Sequence, residues 1–80
     1  MSRQHHYLKT ENEYFREIER GEKKFELRKN DRNFQKNDIV HLEEVVNGVK
    51  TGRSLPPLEI QYILIGGKYG LPEGYCIFNW

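Results

Sequence analysis

The chain has 80 residues and a net charge of +1, with 36% hydrophobic and 31% charged residues, and makes one small domain over residues 1–80. A domain of this size buries only about 60–65% of its unfolded surface, which excludes a deep enclosed pocket and puts any ligand in a surface cleft. Near-neutral charge argues against a general polyanion binder, and 12% aromatic residues with patterned β-branched segments argue against disorder.

His6-Tyr7-Leu8-Lys9 predicts a first strand, with the adjacent His5 and His6 on opposite faces. Thr10 with Glu13 three residues later has the form of a capping box, and Tyr14, Phe15 and Ile18 give one apolar stripe, so a helix is predicted over 11–20. Gly21 then ends it in a left-handed conformation. Residues 24–29 predict a strand with Phe25 and Leu27 on one face and Lys24, Glu26 and Arg28 on the other. That charged face is either a solvated surface or a polar site, and alternation alone favours the solvated surface.

Residues 30–38 read as a polar loop anchored by Phe34. Residues 39–46 alternate, with Val40, Leu42 and Val46 on one side, and Asn47-Gly48 is a type I′ hairpin turn leading into a return strand over 49–53. Pro56-Pro57 ends that pairing, because proline has no ladder donor. Residues 58–65 become apolar on both faces, as in a central strand, and 75–80 form the last strand. One helix and about five to six short strands predict an α+β fold, a small partly closed β-barrel, since closure hides sheet edges.

The single cysteine, Cys76, excludes an internal disulfide and is expected to be a buried, inert thiol. The longest apolar run, Tyr62 to Ile65, is far too short for a membrane span, and Met1-Ser2-Arg3-Gln4 starts no signal peptide. A cytoplasmic protein with no membrane partner is expected. Charge is uneven: 20–36 hold seven basic and three acidic residues, an excess of +4, whereas the remainder beyond Lys36 sums to −2. Such an excess suits an anionic ligand or a solvated face.

With Gly21-x-Lys23-x-x-Glu26-x-Arg28 the chain resembles the ASCH domains, the activating-signal-cointegrator homology group of the PUA-like β-barrel superfamily. The resemblance is strongest to a small uncharacterised bacterial and phage subfamily. It is carried by His6-x-Leu8-Lys9, Tyr14-Phe15, the eight residues 25–32, Thr51-Gly52-Arg53 and the glycine-rich approach to the last strand. It implies a β-barrel with one capping helix beside a cleft, and binding of RNA or a nucleotide. Many relatives place Gly-Asp where this chain has Asn37-Asp38, and asparagine is the next-best residue for a left-handed turn.

The candidate binding residues are Lys23, Glu26 and Arg28, with Lys9, Arg32 and Arg53 as further walls and Tyr69 as a loop aromatic. Arginine presents a planar fork to phosphate or a base edge, lysine a point charge, and Glu26 an acceptor for a base amino group. The alternative is a set of exposed ion pairs contributing under about 1 kcal/mol each. Some ASCH proteins are amidohydrolases of acylated cytidine that use the lysine of Gly-x-Lys, a threonine three residues on and a later glutamate. Lys23 matches, but Glu26 stands at the threonine position and cannot act as a hydroxyl nucleophile. Lys23 and Glu26 would be the acid–base pair of a small hydrolase of amidohydrolase or ribonuclease type. A protein-interaction module without a small ligand is the third reading.

Gly66-Gly67-Lys68-Tyr69-Gly70 lacks phosphate-loop spacing and is expected to be a strand connection bordering the cleft. His5, His6, His41 and Cys76 lack metal-ligand spacing, so neither a metal nor another cofactor is expected. Tyr7, Tyr62, Tyr69, Phe34 and Trp80 are the aromatics able to stack on bases, most of them expected to be structural.

Overall fold

A computed structural model describes residues 3–80; Met1 and Ser2, which open the segment in which no signal peptide is expected, lie outside the described residues. The chain runs β1 (His5–Glu11), α1 (Asn12–Glu19), β2 (Phe25–Lys29), β3 (Ile39–Val46), β4 (Val49–Ser54), β5 (Leu58–Glu59), β6 (Tyr62–Ile65) and β7 (Tyr75–Asn79). The class is α+β. Among the described residues the strands form two sheets, one built on β3 with β1, β4 and β5, the other ordered β2-β7-β6. Among the described residues no ladder joins the two, so strand pairing does not close into a barrel. No helix of the described residues is long and apolar enough to cross a membrane.

β1 lies parallel to β3, from His5 opposite Ile39 to Glu11 opposite Val45. This pairing overturns the capping box at Thr10. Thr10 stays in the strand opposite Glu44 and is buried, and the helix starts after Glu11 without a side-chain cap. The other end of α1 is as expected. Gly21 (φ 76°) donates its N–H to the Ile18 carbonyl, and Glu22 donates to Glu17 across the turn, a Schellman arrangement that satisfies the final carbonyls.

Asn47 (φ 51°) and Gly48 (φ 80°) make the type I′ turn between β3 and β4. A register shift between Glu43 and Val45 disturbs this hairpin, and Val45 rather than Val46 turns inward, contrary to the simple alternation. Pro56-Pro57 interrupt pairing without ending it. Leu55 donates to the Leu42 carbonyl before them, and Leu58 and Glu59 resume opposite Val40 and Ile39.

The single central strand expected over 58–65 is two strands in different sheets. Ile60 N–H bonds to Asp38 and Gln61 N–H to Asn79, so consecutive residues belong to opposite sheets and the chain turns a corner. β6 is an edge strand, and β7 holds the centre. The apolar run records burial of Ile60 at that corner, not membership of one central ladder.

Leu8, Ile18, Phe34, Val40, Leu42, Ile60, Cys76 and Phe78 form the core, with Leu55, Leu58, Ile63 and Trp80 packed around it. Each such side chain removed from water stabilises the fold by about 1.5–3 kcal/mol. Phe34 anchors its loop as expected, helped by Asn30 Oδ1, which accepts the Phe34 N–H at 2.9 Å. Asn37 adopts the left-handed turn at φ 76°. Asp38 then points inward, where it bonds His6 Nε2 (2.9 Å) and accepts the N–H groups of Gln4 and Gln35. His5 faces the other way and meets His41, its Nδ1 2.9 Å from His41 Nε2.

Candidate functional site

Strand β2 is inverted relative to its hydrophobic alternation. Phe25 and Leu27 are 48% and 55% exposed, whereas Glu26 is 5% exposed. The solvated charged face expected from periodicity is therefore corrected: Glu26 and Arg28 turn inward while Lys24 stays exposed, and the apolar face turns out. The physical reason lies in the partners that Glu26 finds. Its Oε1 accepts from Lys23 Nζ at 2.5 Å, and its Oε2 accepts from Arg28 Nε at 2.9 Å. A buried carboxylate is tolerated when both oxygens are paired in this way.

The cations are held as firmly as the anion. The Schellman turn at Gly21 delivers Lys23 beside the helix, where its ammonium lies 4.9 Å from the Tyr14 ring and 5.3 Å from the Phe25 ring. Rings at these distances attract a cation through their quadrupoles. Arg28 Nη2 donates to the Lys9 carbonyl (2.8 Å) and to Thr10 Oγ1 (3.2 Å), tying β2 to the end of β1. These bonds and the one to Glu26 engage Nε and Nη2.

A cleft of about 510 Å³ opens over this arrangement, lined by residues 9–11, Tyr14, Lys23 and 25–29. Four basic side chains (Lys9, Lys23, Arg28, Lys29) face two acidic ones (Glu11, Glu26), so the lining carries a net positive charge. Arg28 and Lys29 also line a neighbouring depression of about 190 Å³ that holds Arg32, whose Nη1 donates to the Tyr7 carbonyl. Of the predicted residues, Lys9, Lys23, Glu26 and Arg28 thus come together, with Arg32 next door.

Arg53 and Tyr69 stand apart from this cleft. Arg53 pairs with Glu19 (2.5 Å) and with the buried Glu44 (3.8 Å) over the Phe15 ring, and lines a small separate pocket beside β4. Tyr69 is 90% exposed in the connection between β6 and β7 and is absent from the cleft lining. The glycine-rich segment is a strand connection as expected, but it does not border the cleft. Among the described residues no three of His, Cys, Asp and Glu gather as a metal site would need.

A family model described as a domain of unknown function, DUF3850, matches residues 5–80. The chain belongs to this family. An uncharacterised 12.9 kDa protein from the gpA 3′ region of Escherichia phage P2 is 42% identical over 50 residues. The match takes in 62% of this chain and 46% of the phage protein, so the chain spans less than half of that relative's length.

In this DUF3850 domain the cleft lining contains six residues outside the predicted set: Thr10, Glu11, Tyr14, Phe25, Leu27 and Lys29. The capping-box pattern puts Thr10 at a helix end, the apolar stripe includes Tyr14, and alternation puts Phe25 on the apolar face of its strand. The missed signal is the distance from Tyr14 to Lys23 across one helix end, which the Gly21 turn makes short. Chemically the site offers two oriented cations on a fixed carboxylate, one buried hydroxyl and two half-exposed aromatic rings. Such a set can hold an anionic group and stack a planar one.

Proposed function

We propose that this domain binds RNA or a nucleotide in the cleft between β2 and the end of β1, and that it is an ASCH-type member of the PUA-like class acting in the cytosol. The observation that carries the reading is the Lys23–Glu26–Arg28 clamp at the base of a positively lined cleft rimmed by Tyr14 and Phe25. Glu26 spends its charge on positioning the two cations. The donors that remain on Lys23 and Arg28 suit phosphate or a base edge, and the rings suit a base face. Short single-stranded RNAs and free nucleotides titrated onto the protein should shift amide resonances of residues 9–11 and 21–32. Silence there at millimolar ligand overturns the reading.

The direct hydrogen bond between Lys23 and Glu26 is the observation behind a second reading, a small hydrolase with these two as acid–base pair. It requires turnover of a modified nucleoside such as an acylated cytidine. Turnover must vanish in Lys23→Ala with the fold intact, and turnover unchanged in that variant rejects it. Binding is the stronger reading because Arg28 holds the second Glu26 oxygen, leaving that carboxylate less free to move a proton.

A further inference from the structure

The inversion of β2 also builds a surface outside the cleft. Residues directly opposite one another in a sheet share a face. The registers of β2, β7 and β6 therefore set Phe25, Asn79 and Tyr62 in one row across the outer face, then Leu27, Ile77 and Leu64. A third row holds Lys29 and Tyr75. Phe25, Leu27 and Tyr62 are 48%, 55% and 63% exposed, and no acidic side chain stands in the three rows. The face is mostly apolar, with Phe25 and Tyr62 flanking Asn79 at one end and Tyr75 at the other, and carries one charge, that of Lys29.

Its size argues against a second copy of the chain. The three rows hold eight residues, against about 20–30 per partner in a stable protein interface. Its continuity and charge point elsewhere. Phe25, Leu27 and Lys29 also line the cleft, so the face and the cleft are one surface folded over the edge of β2, with the basic groups on the cleft side. A flat aromatic surface beside a cationic track is what a single strand with unstacked bases requires. Phe25 and Tyr62 stand two strand spacings apart, about 10 Å, so different bases of one splayed strand would meet the two rings.

We propose that the outer face of the β2-β7-β6 sheet is a stacking platform for single-stranded nucleic acid. One nucleotide occupies the cleft, and the following bases cross Phe25 and reach Tyr62. The proposal rests on the reading of the cleft as a nucleotide site and extends its ligand from a nucleotide to a strand.

The test is calorimetric titration of AMP, hexaadenylate and a duplex of the same length onto the protein and onto Tyr62→Ala and Tyr62→Phe. Tyr62 lies outside the cleft lining, on an edge strand. The single-stranded hexamer should bind at least about tenfold tighter than AMP or the duplex. Tyr62→Ala should erase most of that gain without altering AMP binding, and Tyr62→Phe should keep it. If hexamer and AMP bind equally and Tyr62→Ala is silent, the platform is overturned while the cleft reading stands. If neither ligand binds, both fall together. Sedimentation showing a self-association that Tyr62→Ala abolishes, with no hexamer gain, would give the face to a second copy and also overturn the platform.

Discussion

Glu26 and Arg28, two residues apart on β2, form an ion pair that points into the protein, with Arg28 Nη2 2.9 Å from Glu26 Oε2 and the Glu26 and Arg28 side chains 6% and 24% exposed. The same carboxylate holds Lys23. One anion thus orders two cations and fastens β2 to β1 through Arg28.

Removing that anion should be costly. Breaking a buried pair from one side leaves its partners uncompensated, at about 3–5 kcal/mol, a large part of the ~5–15 kcal/mol that holds a domain together. Glu26→Ala is expected to lower the urea midpoint accordingly, and Glu26→Gln, which keeps one acceptor oxygen, to lower it less. A loss under about 1 kcal/mol would mean that Glu26 is solvated after all.

The inverted strand can be tested by contrast. Leu27 is exposed and Leu42 is fully buried. Leu27→Ser should change stability by less than about 1 kcal/mol, whereas Leu42→Ala should cost about 2–5 kcal/mol. Equal losses in thermal melts would put Leu27 in the core and reverse the orientation of β2.

Gly66 marks a close approach of backbone. A Cβ there would lie 2.0 Å from the Pro72 carbonyl oxygen and 2.7 Å from that of Tyr75. Gly66→Ala is expected to cost about 1–3 kcal/mol or more through displacement of main chain. Gly70→Asn, at φ 80° with open space around it, should be nearly neutral. Melting temperatures of the two variants within a degree or two of each other would contradict this packing.

Burial pushes the Cys76 thiol above its ordinary range, with the Asp31 charge adding to the effect. The folded thiol then keeps its proton to higher pH than the unfolded one. Stability is insensitive to this group below about pH 8.5, the unfolded thiol's range, and falls as pH rises from there toward the folded value. Native protein at pH 8 should react with iodoacetamide far more slowly than urea-unfolded protein. Similar rates would show an accessible thiol.

How much of this was legible in the sequence follows from what each element depends on. Gly21, Phe34, Asn37 and the Asn47-Gly48 turn were readable because a left-handed backbone or a lone aromatic in a polar loop is a local constraint. Glu26 and Arg28 were readable as charges at alternate positions, but their direction was not. Alternation assumes that charge prefers water, and here Lys23, Arg28 and Glu26 satisfy one another inside. Thr10 failed as a cap because its place is decided by β3, far along the chain. Residues 58–65 misled because a corner between sheets and a central strand both demand apolar side chains. Arg53 was drawn to the cleft by its charge, yet Glu19 and Glu44 hold it elsewhere.

The parallel ladder between β1 and β3 has a consequence for the order of assembly. Every pair in it joins residues thirty-four positions apart, with α1 and β2 in between. Closing so long a loop costs entropy before any contact repays it, and nonlocal pairing slows folding. The β3–β4 hairpin needs only a two-residue turn and can form alone on a microsecond scale. We therefore expect assembly to run against chain order, with the hairpin as template and residues 5–11 docking late. Pulsed hydrogen exchange should protect Val46, at the closing pair of the hairpin, before Leu8; the reverse order would refute it. A ribosome-bound chain that has not yet released residue 46 would hold its first strand without a neighbour, and Leu8, Phe15 and Ile18 would remain open to chaperones until then.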